Sequence, residues 1–268
     1  DTTPLSADMS AYEMLQVGIE NYYNADVAVS AYNGNVATKL LGLEVFQLVE
    51  STKIREGKGD AEGENANNAT YFADNKSFSR FAKLYEKMVI KPGENIRYKT
   101  AKEGIDHNDK TGEWSVKTWK DVEYYQEVLD LADAKNNNPT VLWMYDLQED
   151  YVLADETETP VLKDGVYSFT IKFDPIKSTA NYIDTMKAQL EGNANMPVDG
   201  LTFEELNLNV ELGDNGAIKR IFITESYFMK MKVPILGYIN SSITLNSDTQ
   251  YAYKQVDGLK LQEHIDAF

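Results

Sequence analysis

The chain has 268 residues, of which 43% are hydrophobic and 26% are charged, a composition typical of globular proteins. Its 26 Lys and Arg against 43 Asp and Glu give a net charge of −17, which argues against nucleic acid or an anionic membrane surface as a partner. The absence of Cys excludes a disulfide scaffold, a thiol nucleophile and a cysteine-ligated metal, and only 2 His leave few candidates for zinc binding or general-base catalysis.

The first predicted element is a helix that begins at Ser10. Ser10 stands three residues before Glu13, which is the spacing of a capping box. Apolar residues then recur on one helical face, at Tyr12, Leu15, Ile19 and Tyr22. Asn24-Ala25-Asp26 is expected to end the helix, and residues 1–9 are expected to form a tail before it.

Strand patterns follow this helix. The alternation from Val27 to Ala31 predicts a short strand, and Asn33-Gly34 predicts a hairpin turn before a return strand over residues 36–41. The stretch from Leu43 to Ile54 carries apolar groups on both faces, as a strand covered on both sides would. Residues 56–68 have almost nothing to bury and predict a mobile surface loop.

The middle of the chain is less regular. Residues 75–91 fit a helix by spacing, although the family pattern described below favours strands. Residues 96–100 and 114–119 predict a hairpin around a polar tip at 106–112. A second helix is predicted over 121–132, where apolar residues recur at helical spacing behind a capping aspartate.

The second half predicts mainly strands. Alternation over 141–147 and from Tyr167 to Phe173 predicts two strands, and Asp174-Pro175 predicts the start of a third helix that reaches Leu190, with Ile176 on its buried side. The last third predicts an antiparallel meander with a turn at Asp214-Asn215-Gly216 and strands over 206–212, 218–231, 239–245 and 250–255.

Catalytic motifs are absent from the sequence: there is no GxSxG, HExxH, phosphate-binding loop or dinucleotide GxGxxG after a strand. The segment from Asp106 resembles the start of a calcium loop, but Thr111 stands where the sixth-position glycine is needed. Acid pairs such as Glu204-Glu205 are expected by chance among 43 acids, and they point to opposite faces of a strand. We therefore predict no enzyme activity, no cofactor and no metal site.

The strand from Ile221 to Met231 is apolar on both faces and therefore requires two covering layers. One interpretation is an ordinary core with a second layer. The other is a curved sheet around an apolar groove that is open to a ligand, which flexible methionines would suit. The candidate lining residues of this groove are Trp143, Tyr145, Phe222, Tyr227 and Met229.

The order of elements resembles the bacterial lipoprotein-carrier group, the LolA, LolB and LppX/LprG-like proteins. The likeness rests on residues 10–23 as the opening helix, 47–55 as a following strand, 174–190 as a later helix and the meander over 203–253. No signature motif is included, and no functional residue is carried over. The resemblance implies an α+β fold, in which one large curved antiparallel sheet, a half-barrel, has about three helices packed on one face. It further implies a single LolA-like domain over residues 10–268 that binds lipids or acyl chains in its groove.

The chain begins at Asp1, which fits either a trimmed fragment or a mature exported protein. The absence of Cys, the 17 Tyr and the acidity favour a bacterial extracytoplasmic protein of the cell envelope or surface, with a lipid anchor upstream of this chain.

We expect a monomer with no transmembrane segment and no nucleic-acid partner. It would bind a lipid or other apolar or amphiphilic ligand without catalysis. The alternative is a cell-surface interaction module that binds a protein or glycan through exposed Tyr and Asn, and an unrecognised hydrolase is the third hypothesis.

Overall fold

The computed structural model describes residues 2–58, 70–79, 83–90, 96–100, 105–108, 110–111, 113–116, 124–128, 142, 144–193, 198–233 and 235–254. Its α-helices are α1 Ala11–Asn24, α2 Pro175–Ser178 and α3 Ala180–Asn193, and 3₁₀ turns lie at Glu149–Tyr151 and Ala154–Glu156. Its strands are β1 Val27–Leu40, β2 Leu43–Glu56, β3 Thr70–Ser79, β4 Lys83–Ile90, β5 Ile96–Thr100, β6 Ile105–Asn108, β7 Glu113–Val116, β8 Tyr124–Val128, β9 Val161–Lys163, β10 Val166–Lys172, β11 Val198–Gly213, β12 Ile218–Val233 and β13 Gly237–Ala252.

One large sheet dominates the described residues. Its strand order is β8-β5-β4-β3-β2-β1-β13-β12-β11-β10-β9, all neighbours are antiparallel, and β6 and β7 form a separate hairpin. The sheet is curved and open, and the helices pack on one face: α1 contacts β10 and β12, whereas α2 and α3 contact β11. The predicted α+β class with a curved antiparallel sheet is confirmed.

Helix α1 begins as the sequence predicts. The Glu13 amide donates to the Ser10 hydroxyl at 3.2 Å, and the Ser10 amide donates to the Glu13 carboxylate at 2.7 Å, which completes the capping box. The C-terminal end is held by Arg55, a buried side chain of β2 whose guanidinium donates to the carbonyls of Tyr22, Tyr23 and Gly57. A cation at this end also complements the helix dipole.

The predicted hairpin at Asn33-Gly34 is wrong, because β1 continues through both residues to Leu40. The turn lies at Leu41-Gly42, where the φ angles are 51° and 76°. Gly34 is needed for space rather than for turning: a Cβ there would lie 2.6 Å from the Tyr32 hydroxyl oxygen. Residues two apart share one face of a strand, so the Tyr32 ring covers the glycine.

The second predicted helix is also wrong. Residues Tyr124–Val128 form strand β8, which pairs with β5. The other pairing partner of β5 is β4, so the predicted pairing of 96–100 with the strand near residue 114 does not occur, and β6 with β7 makes that hairpin instead. The ambiguous stretch 75–91 contributes strands, β3 and β4. The apolar spacing of residues 121–132 fits a helix, but Tyr124–Val128 pair with the edge of β5 and therefore form a strand.

Two further expectations concern the middle of the chain. The described part of 141–147 is not a strand, since the Tyr145 amide donates to the Leu142 carbonyl in a turn at 3.0 Å. The predicted mobile loop at 56–68 falls mostly on residues 59–69, which lie outside the described residues.

The third helix starts at its predicted cap. The Asp174 carboxylate accepts from the amides of Ile176 and Lys177. The helix is interrupted at Thr179, which separates α2 from α3. Ile176, predicted on the buried side, is instead exposed to solvent.

The buried side chains of the helix-covered face form two clusters. The α1 cluster includes Met14, Leu15, Phe169, Ile171, Leu208, Val210, Leu212, Ile218, Ile221 and Ile223. The α3 cluster comprises Met186, Leu201, Phe203, Tyr227, Met229, Met231 and Ile243. The predicted meander from residue 206 onward supplies much of both, although the two final predicted strands merge into the continuous β13.

Candidate functional site

The structure separates the five predicted groove residues. Tyr227 and Met229 lie together in the α3 cluster, and Tyr145 is buried beside them at the edge of the α1 cluster. Phe222 lies on the opposite face of the sheet, because it is an odd number of residues from both Tyr227 and Met229 along one strand. Trp143 lies outside the described residues.

A buried carboxyl group stands between the two clusters. Glu225 of β12 is only 1% exposed, and its strand neighbours on the same face are Ile223 and Tyr227. The Tyr145 hydroxyl donates to the Glu225 carboxylate at 2.5 Å. Sequence reasoning missed Glu225, yet a signal existed: it is the one charged residue among the odd-numbered positions of β12 from Ile221 to Val233.

Aromatic rings form a row beside this carboxyl. The ring centroids of Tyr145 and Tyr182 are 6.2 Å apart, those of Tyr182 and Phe203 are 5.8 Å apart, and those of Phe203 and Tyr227 are 4.9 Å apart. This row runs from the α1 cluster into the α3 cluster. The arrangement places phenolic hydroxyls and flat apolar surface within one strip of the covered face.

Burial sets the protonation states of the site. It raises the pKa of Glu225 to about 7, against the opposing effect of the hydrogen bond from Tyr145. Burial and then the nearby charge of Glu225 raise the pKa of both Tyr145 and Tyr182 well above the usual tyrosine value. The phenols are therefore protonated donors at neutral pH, and Glu225 is close to half ionised.

Helix α3 covers the site with few apolar side chains. Among its described side chains, through Ala188, only Met186 is buried, while Tyr182 and Ile183 are partly buried. The side chains of α3 that are described therefore bury less apolar area against the sheet than those of α1 do. The cover over Glu225 is accordingly the weaker of the two helical layers.

The opposite face carries an open depression of about 470 Å³ beside Phe222. Arg220 lies at its edge and donates two hydrogen bonds to Asp248, at 2.7 and 2.8 Å. The remaining lining is of mixed polarity and comes from Glu158, Val161, Ser168, Phe169, Asn209, Val210 and Glu211. This depression offers an aromatic wall with polar groups around it.

The part of the chain that the structure describes holds neither a metal-binding cluster nor a membrane-spanning helix. Within it, no cluster of three or more His, Cys, Asp or Glu side chains could hold a metal ion. None of the described helices has the length and apolarity that crossing a bilayer requires. No family model and no curated protein matches the chain.

Proposed function

We propose that this chain is a non-enzymatic binding protein that takes an amphiphilic ligand on the helix-covered face, between α3 and the sheet. The observation that carries the proposal is the buried Glu225, which stands at the inner end of an apolar, methionine-containing cluster. A hydrocarbon tail would lie along Met229 and Met231, and a head group would meet Glu225 and Tyr145.

The α3 cluster suits an adaptable tail site. Its buried side chains include three methionines, which are unbranched and change rotamer at low cost. Because these side chains fill the space under α3, the ligand must displace the helix. The small apolar contribution of α3 favours this, since each buried CH₂ of a tail contributes about 0.8 kcal/mol.

The polar end of the site indicates the head group. An ionised or partly ionised carboxylate is an acceptor, so a head group that donates hydrogen bonds, such as an alcohol or an ammonium, complements it. A head group without a donor would leave the buried carboxylate poorly satisfied.

A displacement assay tests this proposal. Protein is saturated with a fluorescent fatty alcohol, and hexadecanol, hexadecylamine and methyl palmitate compete at pH 8. We expect saturable binding and better displacement by the two donor head groups. Glu225→Gln should remove the advantage of the amine over the ester, whereas Glu211→Gln, on the opposite face, should keep it. Met229→Gln should weaken all ligands by about tenfold.

Two results would refute the proposal: no saturable binding of any amphiphile, or equal displacement by all three competitors in the parent protein. Lipid extraction of protein purified from its natural host provides an independent check, because a bound amphiphile should co-purify.

We also propose an extracytoplasmic location for this protein. The high acidity, the 17 Tyr and the absence of Cys support it. Reading the full-length gene tests it: an export signal is the expected result, and a gene without one would contradict the proposed location.

A second candidate function is glycan binding on the opposite face. The depression beside Phe222 favours it, because sugars stack on aromatic rings while Asn209 and Arg220 supply hydrogen bonds. On a glycan array, Phe222→Ala should abolish any specific signal, and the absence of a signal from the parent protein would remove this candidate.

A further inference from the structure

Two neighbouring turns expose large apolar side chains. The β1–β2 turn presents Leu41 and Leu43, and the β12–β13 turn presents Ile235, Leu236 and Tyr238. Each of these five side chains is more than half exposed, and Ile235 is completely exposed. We call these two turns the apolar tips.

The strand register brings the apolar tips to the same end of the sheet. Leu40, before the first tip, lies opposite Ser241 of β13, and Val233, before the second, lies opposite Gly237. Since β1 and β13 are hydrogen-bonded neighbours, the two turns project in the same direction, but the β12–β13 hairpin extends four residues further, which is roughly 13 Å of strand. The exposed residues therefore form one stepped apolar end of the sheet.

The backbone shows that these side chains occupy unfavourable positions. Leu41 and Ile235 have φ angles of 51° and 74°, in the left-handed region where Asn and Gly are favoured. A bulky aliphatic residue there is both strained and exposed. Neither folding nor solubility benefits, which points to a role at this end of the molecule.

Three exposed lysines flank the apolar tips, and one of them, Lys39, lies opposite the exposed Glu44 across the β1–β2 hairpin. Lys39, Lys230 and Lys232 are exposed on the strands that lead into them, and no ion pair joins these lysines to a described residue. Lys39 precedes Leu41 by two residues and Lys232 precedes Ile235 by three. Interfacial segments bury roughly 5–10 Å into the boundary between head groups and acyl chains, so long lysine side chains a few residues back can meet lipid phosphates.

We propose that the apolar tips dock this protein onto a lipid bilayer, with the strands tilted to the membrane so that Leu41, Ile235 and Leu236 all insert below the headgroups. The flanking lysines then meet the lipid phosphates, and Tyr238 lies at the interface, where tyrosine is enriched. Protruding turns can insert into a bilayer because lipids rearrange around them. The overall charge of −17 acts at longer range and is screened at physiological salt, so local contacts decide binding. The inference goes beyond ligand binding and does not depend on it.

Vesicle flotation tests the proposal. We expect the full chain to float with phosphatidylcholine vesicles, and with vesicles that also contain phosphatidylglycerol, at physiological salt. The double variant Leu41→Asn with Ile235→Asn should lose at least about tenfold in vesicle affinity, because two inserted aliphatic side chains are removed. Asn accepts left-handed φ angles, so the fold is retained.

A matched control removes two exposed aliphatic residues elsewhere. Val161→Asn with Leu162→Asn, on the edge strand β9, should float like the parent protein. The absence of Cys permits a second readout. An environment-sensitive dye on Ile235→Cys should shift to the blue with vesicles, and the same dye on Val161→Cys should not.

Three outcomes would overturn the proposal. The parent protein could fail to float with either vesicle type, or the tip variant could float as well as the parent. Alternatively, light scattering could show a dimer of the parent that the tip variant abolishes, which would make a second copy the occupant of the tips. Vesicle binding that persists in a variant unable to bind soluble amphiphiles would separate docking from the proposed ligand site.

Discussion

The turn between β11 and β12 is Asp214-Asn215-Gly216, whereas the turns at the other end of the same sheet are the apolar tips. The first is packed and hydrogen-bonded: the Leu5 amide donates to the Asp214 carbonyl at 3.0 Å, and the Asn21 side-chain amide donates to the Gly216 carbonyl at 3.1 Å. At the tips, a Cβ on Gly42 or Gly237 would meet no described atom within 4 Å.

The comparison shows that backbone geometry alone does not determine which residues occupy a turn. Asp164 and Leu41 have the same φ of 51°, and each precedes a glycine with a φ of 76°. One turn uses the residue that such a backbone favours, and the other uses leucine. The polar end stabilises the fold, and the apolar end is available for an external contact.

Arg55 gives the largest expected effect at the polar end. Replacing it in Arg55→Leu removes the donors to two carbonyls at the C-terminus of α1 and to the Gly57 carbonyl, and we expect a loss of about 4 kcal/mol in the free energy of unfolding by urea denaturation. The exposed Arg220→Leu should cost about 1 kcal/mol or less, although it also breaks a bidentate pair. Similar losses for the two variants would show that Arg55 does not anchor the helix.

Two glycines with the same φ angle allow the cost of steric overlap to be measured apart from the cost of backbone strain. Gly216 and Gly237 both have a φ of 79°. A Cβ at Gly216 would lie 2.3 Å from the Thr3 carbonyl oxygen, so Gly216→Ala should destabilise by about 3 kcal/mol through strain and overpacking. Gly237→Ala carries the strain alone and should cost about 1 kcal/mol. Thermal and urea unfolding measure both, and equal costs would contradict the contrast between the two ends.

Glu225 lies between the two ends, and its effect depends on pH. Its folded-state pKa of about 7 is above the unfolded value of about 4.5, so its penalty is absent below pH 4.5, grows between the two pKa values and is complete above pH 7. Glu225→Gln should therefore stabilise the protein by up to about 3 kcal/mol at pH 8 and have little effect at pH 4. A stability difference between the variant and the parent that does not change with pH would rule out the buried titration.

The smallest expected effect concerns the apolar tips. Leu41→Asn and Ile235→Asn should each stabilise the isolated protein by about 0.5 to 1 kcal/mol, because Asn tolerates the left-handed backbone better. Leu43→Asn provides the control, since Leu43 lies in β2 and has no positive φ. Urea unfolding of the three variants and the parent protein measures these changes in stability. Destabilisation by the first two substitutions would mean that the tips contribute to the core.

Local sequence patterns were sufficient to predict an element wherever its hydrogen-bond partners or its periodicity lie within one short segment. The capping box at Ser10, the Asp174 cap and the alternation from Tyr167 to Phe173 were all predictable, because each depends on groups only a few residues apart. The α+β class with a curved antiparallel sheet followed from the same patterns and from the family resemblance.

Which strands pair, and on which face of the sheet a side chain lies, could not be predicted from local sequence patterns. Tyr124–Val128 had helical spacing but became a strand because β5 offered an unpaired edge. Asn33-Gly34 had the composition of a turn but lies inside β1, where the Tyr32 ring needs the space. The face on which Phe222 lies and the side from which helices cover β12 also depend on distant elements.

Short-range hydrogen bonding and periodicity encode the starts of α1 and α2, the polar turn at Asp214-Asn215-Gly216 and the two-faced apolar strands, so these could be predicted from the sequence. The contact of Glu225 with Tyr145, 80 residues away, and the position of two apolar turns at one end of the sheet became visible only in the folded molecule. Burial and register are set by contacts between strands far apart in the chain, and a buried charge acquires its pKa only from those surroundings.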